Sequence, residues 1–452
     1  MRRLILLPLS LLLSGCFAGQ LEMADFKGPS LWQNASDVES LDTPVDVQAL
    51  ENWWHNFNDP VLSALVEKAL EVNPDLLIAE ARVLEARGLR RTARSSFFPQ
   101  IGATGVGGRE KGLFAQAADT YDVRFDASYE IDLFGRVRNN ASASQNTLFA
   151  RKAEYDYAGL TLVAEVARSY IDMRANEKQL AIALDNLETQ EKTLELIQNL
   201  RDFGESPQLD VERAETLVNT TRASVPEFKR LAENARLRLA VLTGSVPEGL
   251  MDVSGSSEIP GSDVAPVLMA PAKILAQRPD IRAAASNLAA RTDLAEAATA
   301  EIFPTFSLGG FYGAAESGFA STTQIWQIAL NAAVSVLDFG RIAGQIDAAR
   351  AREKEAFEQY RKTVLEAVSD VETSLNNYAK ADEQSFSLFQ AYENADAAFN
   401  LSTQLFTEGE ISFLDVLDAQ RTLNDTQSAL VTAEAARASA LIALYKSLGV
   451  GP

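Results

Sequence analysis

The sequence predicts an α+β membrane protein, in which strands pooled from several chains close a β-barrel above long α-helices. Three observations predict it. The second half of the 452-residue chain repeats the first at a constant offset of 205 residues. Two long stretches, 136–203 and 341–408, contain no proline and one glycine each, Gly159 and Gly344. Residues 121–133 alternate strictly between apolar and polar side chains.

The N-terminus sets the compartment. Arg2 and Arg3 precede an apolar run from Leu4 to Leu13, broken only by Pro8 and Ser10. A spanning helix needs about 20 apolar residues, so this run reads as the core of a signal peptide over 1–15. It ends in Leu13-Ser14-Gly15-Cys16, which resembles the bacterial lipobox, in which cleavage before the cysteine leaves it to carry lipid. Residues 16–60 then form a lipidated N-terminal segment. An ordinary signal sequence with an incidental cysteine is the plainer alternative. Cys16 is the only cysteine, so no disulfide framework exists. Phe17 stands where an Asp would resemble the inner-membrane retention signal, which points to the outer membrane.

Past this leader come two copies of one unit, 61–244 and 266–449, joined by the Ser/Gly/Pro-rich linker 245–265. Pro74-Asp75 recurs as Pro279-Asp280, Phe134-Gly135-Arg136 as Phe339-Gly340-Arg341, and Leu209-Asp210-Val211 as Leu414-Asp415-Val416. One offset across so many anchors means few insertions separate the copies. The first unit reads as a helix over 61–97, strands 98–108 and 121–133, a long helix 136–203 and a helix 208–243. The second reads as a helix over 266–302, strands 303–313 and 325–337, a long helix 341–408 and a helix 412–448. Each long helix is a rod of roughly 100 Å at 1.5 Å per residue. Laid end to end, 208–243 and 266–302 match one such rod, so the pieces suggest a cylinder walled by helices.

From Tyr360 to Phe406 a 4–3 spacing selects Tyr360, Val364, Ala367, Val371, Ser374, Tyr378, Ala381, Ser385, Leu388, Tyr392, Ala395, Phe399, Ser402 and Phe406. A seven-residue repeat held this long implies coiled-coil packing, with small residues facing large ones. That pattern alone is equally that of a plain bundle. The strands separate the two. Tyr121, Val123, Phe125, Ala127, Tyr129, Ile131 and Leu133 alternate with Asp122, Arg124, Asp126, Ser128, Glu130 and Asp132. In the second unit Trp326, Ile328, Leu330, Ala332, Val334 and Val336 form the corresponding apolar series. Period two with an apolar and a polar face is the mark of a transmembrane strand, and also fits a soluble sandwich. Four strands cannot close a barrel, since single-chain barrels begin at about eight, so several copies must pool them.

Composition excludes other classes. With 62 acidic against 41 basic residues the net charge is −21, which disfavours nucleic acid as a partner. His55 is the only histidine, so no His-based triad or His-rich metal site can be assembled, and it reads as a surface or packing residue. No catalytic residue, cofactor or metal ion is expected, although 62 acidic residues leave carboxylate-pair chemistry open in principle.

Four features in this order resemble the outer-membrane factor family, the TolC-like channels, in the lipoprotein branch typified by OprM. They are the lipobox; Trp53-Trp54 with Phe57 and Asp59-Pro60; Tyr129 through Arg136; and Gly409 through Arg421. The resemblance implies a homotrimer with a 12-stranded β-barrel over a periplasmic α-helical barrel. It implies as partners outer-membrane lipid, a periplasmic adaptor (membrane fusion) protein and an inner-membrane pump of the RND type. It places Leu414, Asp415, Asp418 and Arg421 at the positions that close the periplasmic entrance. Asp415 and Asp418 lie one helical turn apart, so three copies would form two carboxylate rings, and Arg421, one turn on, could brace a neighbouring tip. Solvated surface charges are the alternative. At the level of the whole chain, a protein-secretion duct and a structural coiled-coil lipoprotein are the other readings.

Overall fold

The computed structural model describes residues 32–33, 52–111, 117–253, 258–261, 271–317, 322–449 and 451. Cys16, the expected signal peptide, most of the segment 16–60 and parts of the linker lie outside the described residues. After a 3-10 turn at Trp53–Phe57 come α1 (Pro60–Val72), α2 (Pro74–Ser95), β1 (Gln100–Glu110), β2 (Ala118–Ile131), α3 (Arg136–Asp202) and α4 (Gln208–Leu242). The second unit follows with α5 (Pro271–Gln277), α6 (Pro279–Ala300), β3 (Thr305–Ser317), β4 (Thr323–Ala333), α7 (Arg341–Thr407) and α8 (Phe413–Leu448).

Both long rods form as expected, and their starts share one device. Gly135 (φ 84°) and Gly340 (φ 90°) take the left-handed conformation that turns the chain from strand to helix. Asp132 then accepts from the backbone N–H of Val137 (3.2 Å) and Arg138 (2.8 Å), and Asp338 from Gly340 and Ile342 (both 3.0 Å). These carboxylates satisfy the free donors of the first turn. The expected helix 61–97 is instead two, because Pro74 has no N–H to continue α1. Asn73 restarts the chain, its side chain accepting from Asp75 (2.9 Å) and Leu76 (3.2 Å). Pro279 divides 266–302 in the same way.

The strands are antiparallel in the order β1-β2-β3-β4. β1 begins at Gln100 rather than residue 98, because Phe97 and Phe98 still donate to the helix carbonyls of Arg94 (3.2 Å) and Ser95 (3.0 Å). β4 ends at Ala333, which pairs with Thr305, the first residue of β3, so Val334 and Val336 fall outside the strand. β2 starts earlier than expected, Ala118 pairing with Glu110 at the end of β1.

Below the sheet the helices pack side by side. In the half nearer the strands α2 packs on α3, α3 on α6 and α6 on α7; in the far half α4 packs on α3, α3 on α8 and α8 on α7. All fourteen positions of the 4–3 series in α7 are buried or half-buried, which is the seam a heptad prescribes. The deepest packing is at the waist. Trp53 stacks on Tyr445 with ring centres 5.3 Å apart, and Asp59 both caps α1 and accepts from the Tyr170 hydroxyl at 2.8 Å. His55 is exposed and contacts Ser63 (3.0 Å), as a surface residue should. Arg174 donates to Tyr170 (3.0 Å) and to the Val253 carbonyl (2.9 Å), and Arg437 donates to the Gly261 carbonyl (3.0 Å). These contacts pin the described parts of the linker to the waist. Trp32 is buried in the same cluster.

A polar-lined sheet and a charged helical tip

The register decides which way each strand residue faces, because directly paired residues share a face. Phe125 pairs with Ala103 and Tyr312, and Tyr312 with Trp326. Ala127 pairs with Ile101 and Gly310, and Gly310 with Ile328. One face therefore carries the apolar series through Leu330 and Ala332, and most of its large side chains, among them Val123, Phe125, Tyr312, Trp326, Ile328 and Leu330, are exposed in the single chain. The other face carries Thr104, Asp122, Arg124, Asp126, Glu130, Phe311 and Gln327 by the same register. From Ala118 to Asp126 of β2 its residues are the less exposed set, which marks it as the concave side. Its charges lie in opposite-sign pairs: Thr104 donates to Asp126 (2.7 Å), Arg124 lies within ion-pair distance of Asp126 (3.1 Å) and Asp122 (3.5 Å), and Arg136 pairs with Glu130. An apolar outside and a hydrogen-bonded polar inside is what a lipid-embedded, water-filled barrel requires. Phe134 and Phe303 stack at 4.6 Å where strands meet helices, at one rim of that band. Among the described residues β1 and β4 have no partner along their outer edges, which further strands would satisfy in a membrane.

At the far end of the rods the two helical hairpins share a small core of Ile197, Val211, Ala214 and Leu217 with Phe413, Val416 and Leu417. Those three, with Gln420 and Leu423, bury the inner face of α8. Leu414, Asp415, Asp418 and Arg421 all lie on its exposed face, so the fold brings the four expected residues together. One carries a role the sequence reading missed. Asp415 is the third residue of α8 and forms a capping box, accepting from the Ser412 hydroxyl (2.7 Å) and backbone N–H (3.0 Å). The signal was legible as Ser followed three residues later by an acid. The Ser412 hydroxyl, and next its N–H, hold the Asp415 carboxyl below its ordinary value, so it is charged at neutral pH. Among the described residues Arg421 pairs with neither carboxylate. In the first unit the related Asp210 and Arg213 instead pair with each other at 3.3 Å. Among the described residues no helix is long and apolar enough to cross a membrane.

Comparison with known proteins agrees with this geometry. A family model described as outer membrane efflux protein matches twice, at residues 65–245 and 270–450, displaced by the same offset as the sequence repeat. The pyoverdine export outer membrane protein OpmQ of Pseudomonas aeruginosa is 31% identical, with 100% of this chain and 97% of that protein covered. A probable outer membrane lipoprotein of Salmonella typhimurium, SilC, is 27% identical over 97% of this chain and 96% of its own. The solved outer-membrane channel OprN superposes with a TM-score of 0.83 at 32% identity, covering 91% of this chain and 97% of that one. In TolC-like channels of this kind three chains pool four strands each, the partnership that the open β1 and β4 edges call for. The chain belongs to the outer membrane efflux protein family and is an outer-membrane exit channel of an efflux pump.

Proposed function

We propose that the trimer is lipid-anchored through Cys16 after removal of 1–15, with its helical barrel in the periplasm. It receives small molecules through a periplasmic adaptor from an inner-membrane pump of the RND type. Its entrance is gated by Leu414, Asp415, Asp418 and Arg421, and conduction involves no chemical step. The observation that carries this reading is the exposed face of α8. The four side chains sit together at the free tip, a rod's length from the strands, where a passage through the helices would open. Three copies would set Asp415 and Asp418 in two rings about one axis. The pyoverdine-export role in the name of OpmQ favours a small molecule over a secreted protein as cargo. The SilC name favours a lipid anchor.

Two outcomes test this. Cys16→Ala is expected to abolish acyl labelling and slow processing, whereas a wild-type protein recovered without lipid would refute the anchor. Deleting the chain is expected to lower tolerance to at least one small toxic compound and leave the secreted proteins unchanged. The reverse pattern would assign it to a protein-secretion duct.

A further inference from the structure

We propose that the lumen face of each sheet carries a weak binding station for planar aromatic cations, built on Phe311 and Asp126. The proposal rests on the reading of the concave face as a channel lumen. Phe311 pairs with Asp126 and with Gln327 across the sheet, and its neighbours two residues away on the same face are Gly309 and Gly313. Gly313 lies directly opposite Arg124, and a Cβ there would collide with the Val123 carbonyl and with Arg124 itself. With no side chain in the way, Arg124 reaches past Gly313 until its guanidinium carbon is 5.3 Å from the Phe311 ring centre. Asp122 and Asp126 hold it there, and Thr104 holds Asp126. Phe311 is thus fixed from one side.

On the Gly309 side the ring borders a concavity of about 530 Å³. It is lined by Gly102 and Gly309 and by the polar residues Asp126, Gln100, Gln327 and Asn331. A flat ring can lie against the aromatic wall over bare backbone. The level is electronegative, since Asp122 and Asp126 oppose the single Arg124, and three chains repeat it around the barrel. Exocyclic amino groups can donate to the amide oxygens. The chemistry selected is a planar aromatic ring with a delocalised positive charge and hydrogen-bond donors.

Ethidium is a suitable probe, titrated by fluorescence anisotropy onto the purified full-length trimer in detergent. Phe311→Ala and Asp126→Asn are each expected to weaken binding about three- to tenfold. Phe311→Leu, which keeps apolar bulk, is expected to lose most of the same affinity. Tetraethylammonium, a cation without a ring, should displace ethidium poorly. Trimer content checks that each variant is assembled, and Asp418→Asn controls for binding at the tip. Wild-type affinity in both Phe311 variants would overturn the proposal, as would equal displacement by tetraethylammonium or loss of binding only in Asp418→Asn. A trimer that binds ethidium through Phe311 and never conducts ions would instead fault the channel reading alone.

Discussion

Placing an arginine at Phe125 or Leu330 is expected to cost roughly 2–4 kcal/mol of barrel stability, the depth-dependent penalty for a cation facing lipid near the midplane. Both residues lie on the apolar face. Phe125 pairs with Ala103 and Tyr312, and Leu330 with Leu308, so no carboxylate stands directly opposite to pair with a guanidinium. The matched control is Gln327→Arg, one strand position from Ile328 on the opposite face and bathed by lumen water. Asp126 is unsuitable for that purpose, because Thr104 and Arg124 both depend on it. Urea unfolding from lipid vesicles reads the difference. A large loss at 125 and 330 with little change at 327 is the expected pattern; equal tolerance on both faces would take the sheet out of the membrane.

Neutralising the tip is expected to change selectivity more than stability. At the proposed gate three chains would set six carboxylates around a narrow bore, which would concentrate cations and repel anions, so Asp415→Asn with Asp418→Asn should lower cation preference and weaken block by multivalent cations. An Asn at 415 retains an oxygen that can accept from Ser412, which preserves the start of α8 while removing the charge. Arg421→Ala should raise conductance if Arg421 bridges neighbouring tips. The pH dependence has a definite sign. Because Ser412 depresses the Asp415 carboxyl, its charge and its contribution to the capped helix are both present above the ordinary carboxylate range near ~4 and are lost as pH falls through the lower folded value. Reversal potentials across a salt gradient measure the selectivity. Unchanged reversal potentials and unchanged block in the double variant would make these residues ordinary surface charges.

Much of the fold was legible because it rests on local signals. The absence of proline from 136–203 and 341–408 allowed both rods, and the 4–3 series from Tyr360 marked the buried seam of α7. Strict alternation in 121–133 gave the two faces of β2. The boundaries were less legible, since they depend on partners distant in sequence: β4 stops where β3 has no further residue to offer, and Val334 and Val336 lose their expected place. Pro74 and Pro279 mark the repeat, and each also breaks a helix. At the tip, the four expected residues share one exposed face because an i, i+1, i+4, i+7 spacing keeps them on one side of a helix. The Arg124–Phe311 contact was not legible, because it arises from a strand pairing across about 190 residues that only the register reveals.

The unpaired edges of β1 and β4 put the central claim, that three chains together make one channel, within reach of a single measurement. Native mass spectrometry of the protein released from the outer membrane in mild detergent is expected to give an assembly of three chains, with no stable folded monomer. A folded single chain that keeps its four strands in detergent would contradict it, because an open sheet with two unsatisfied edges and an apolar face could not then be one third of a closed barrel.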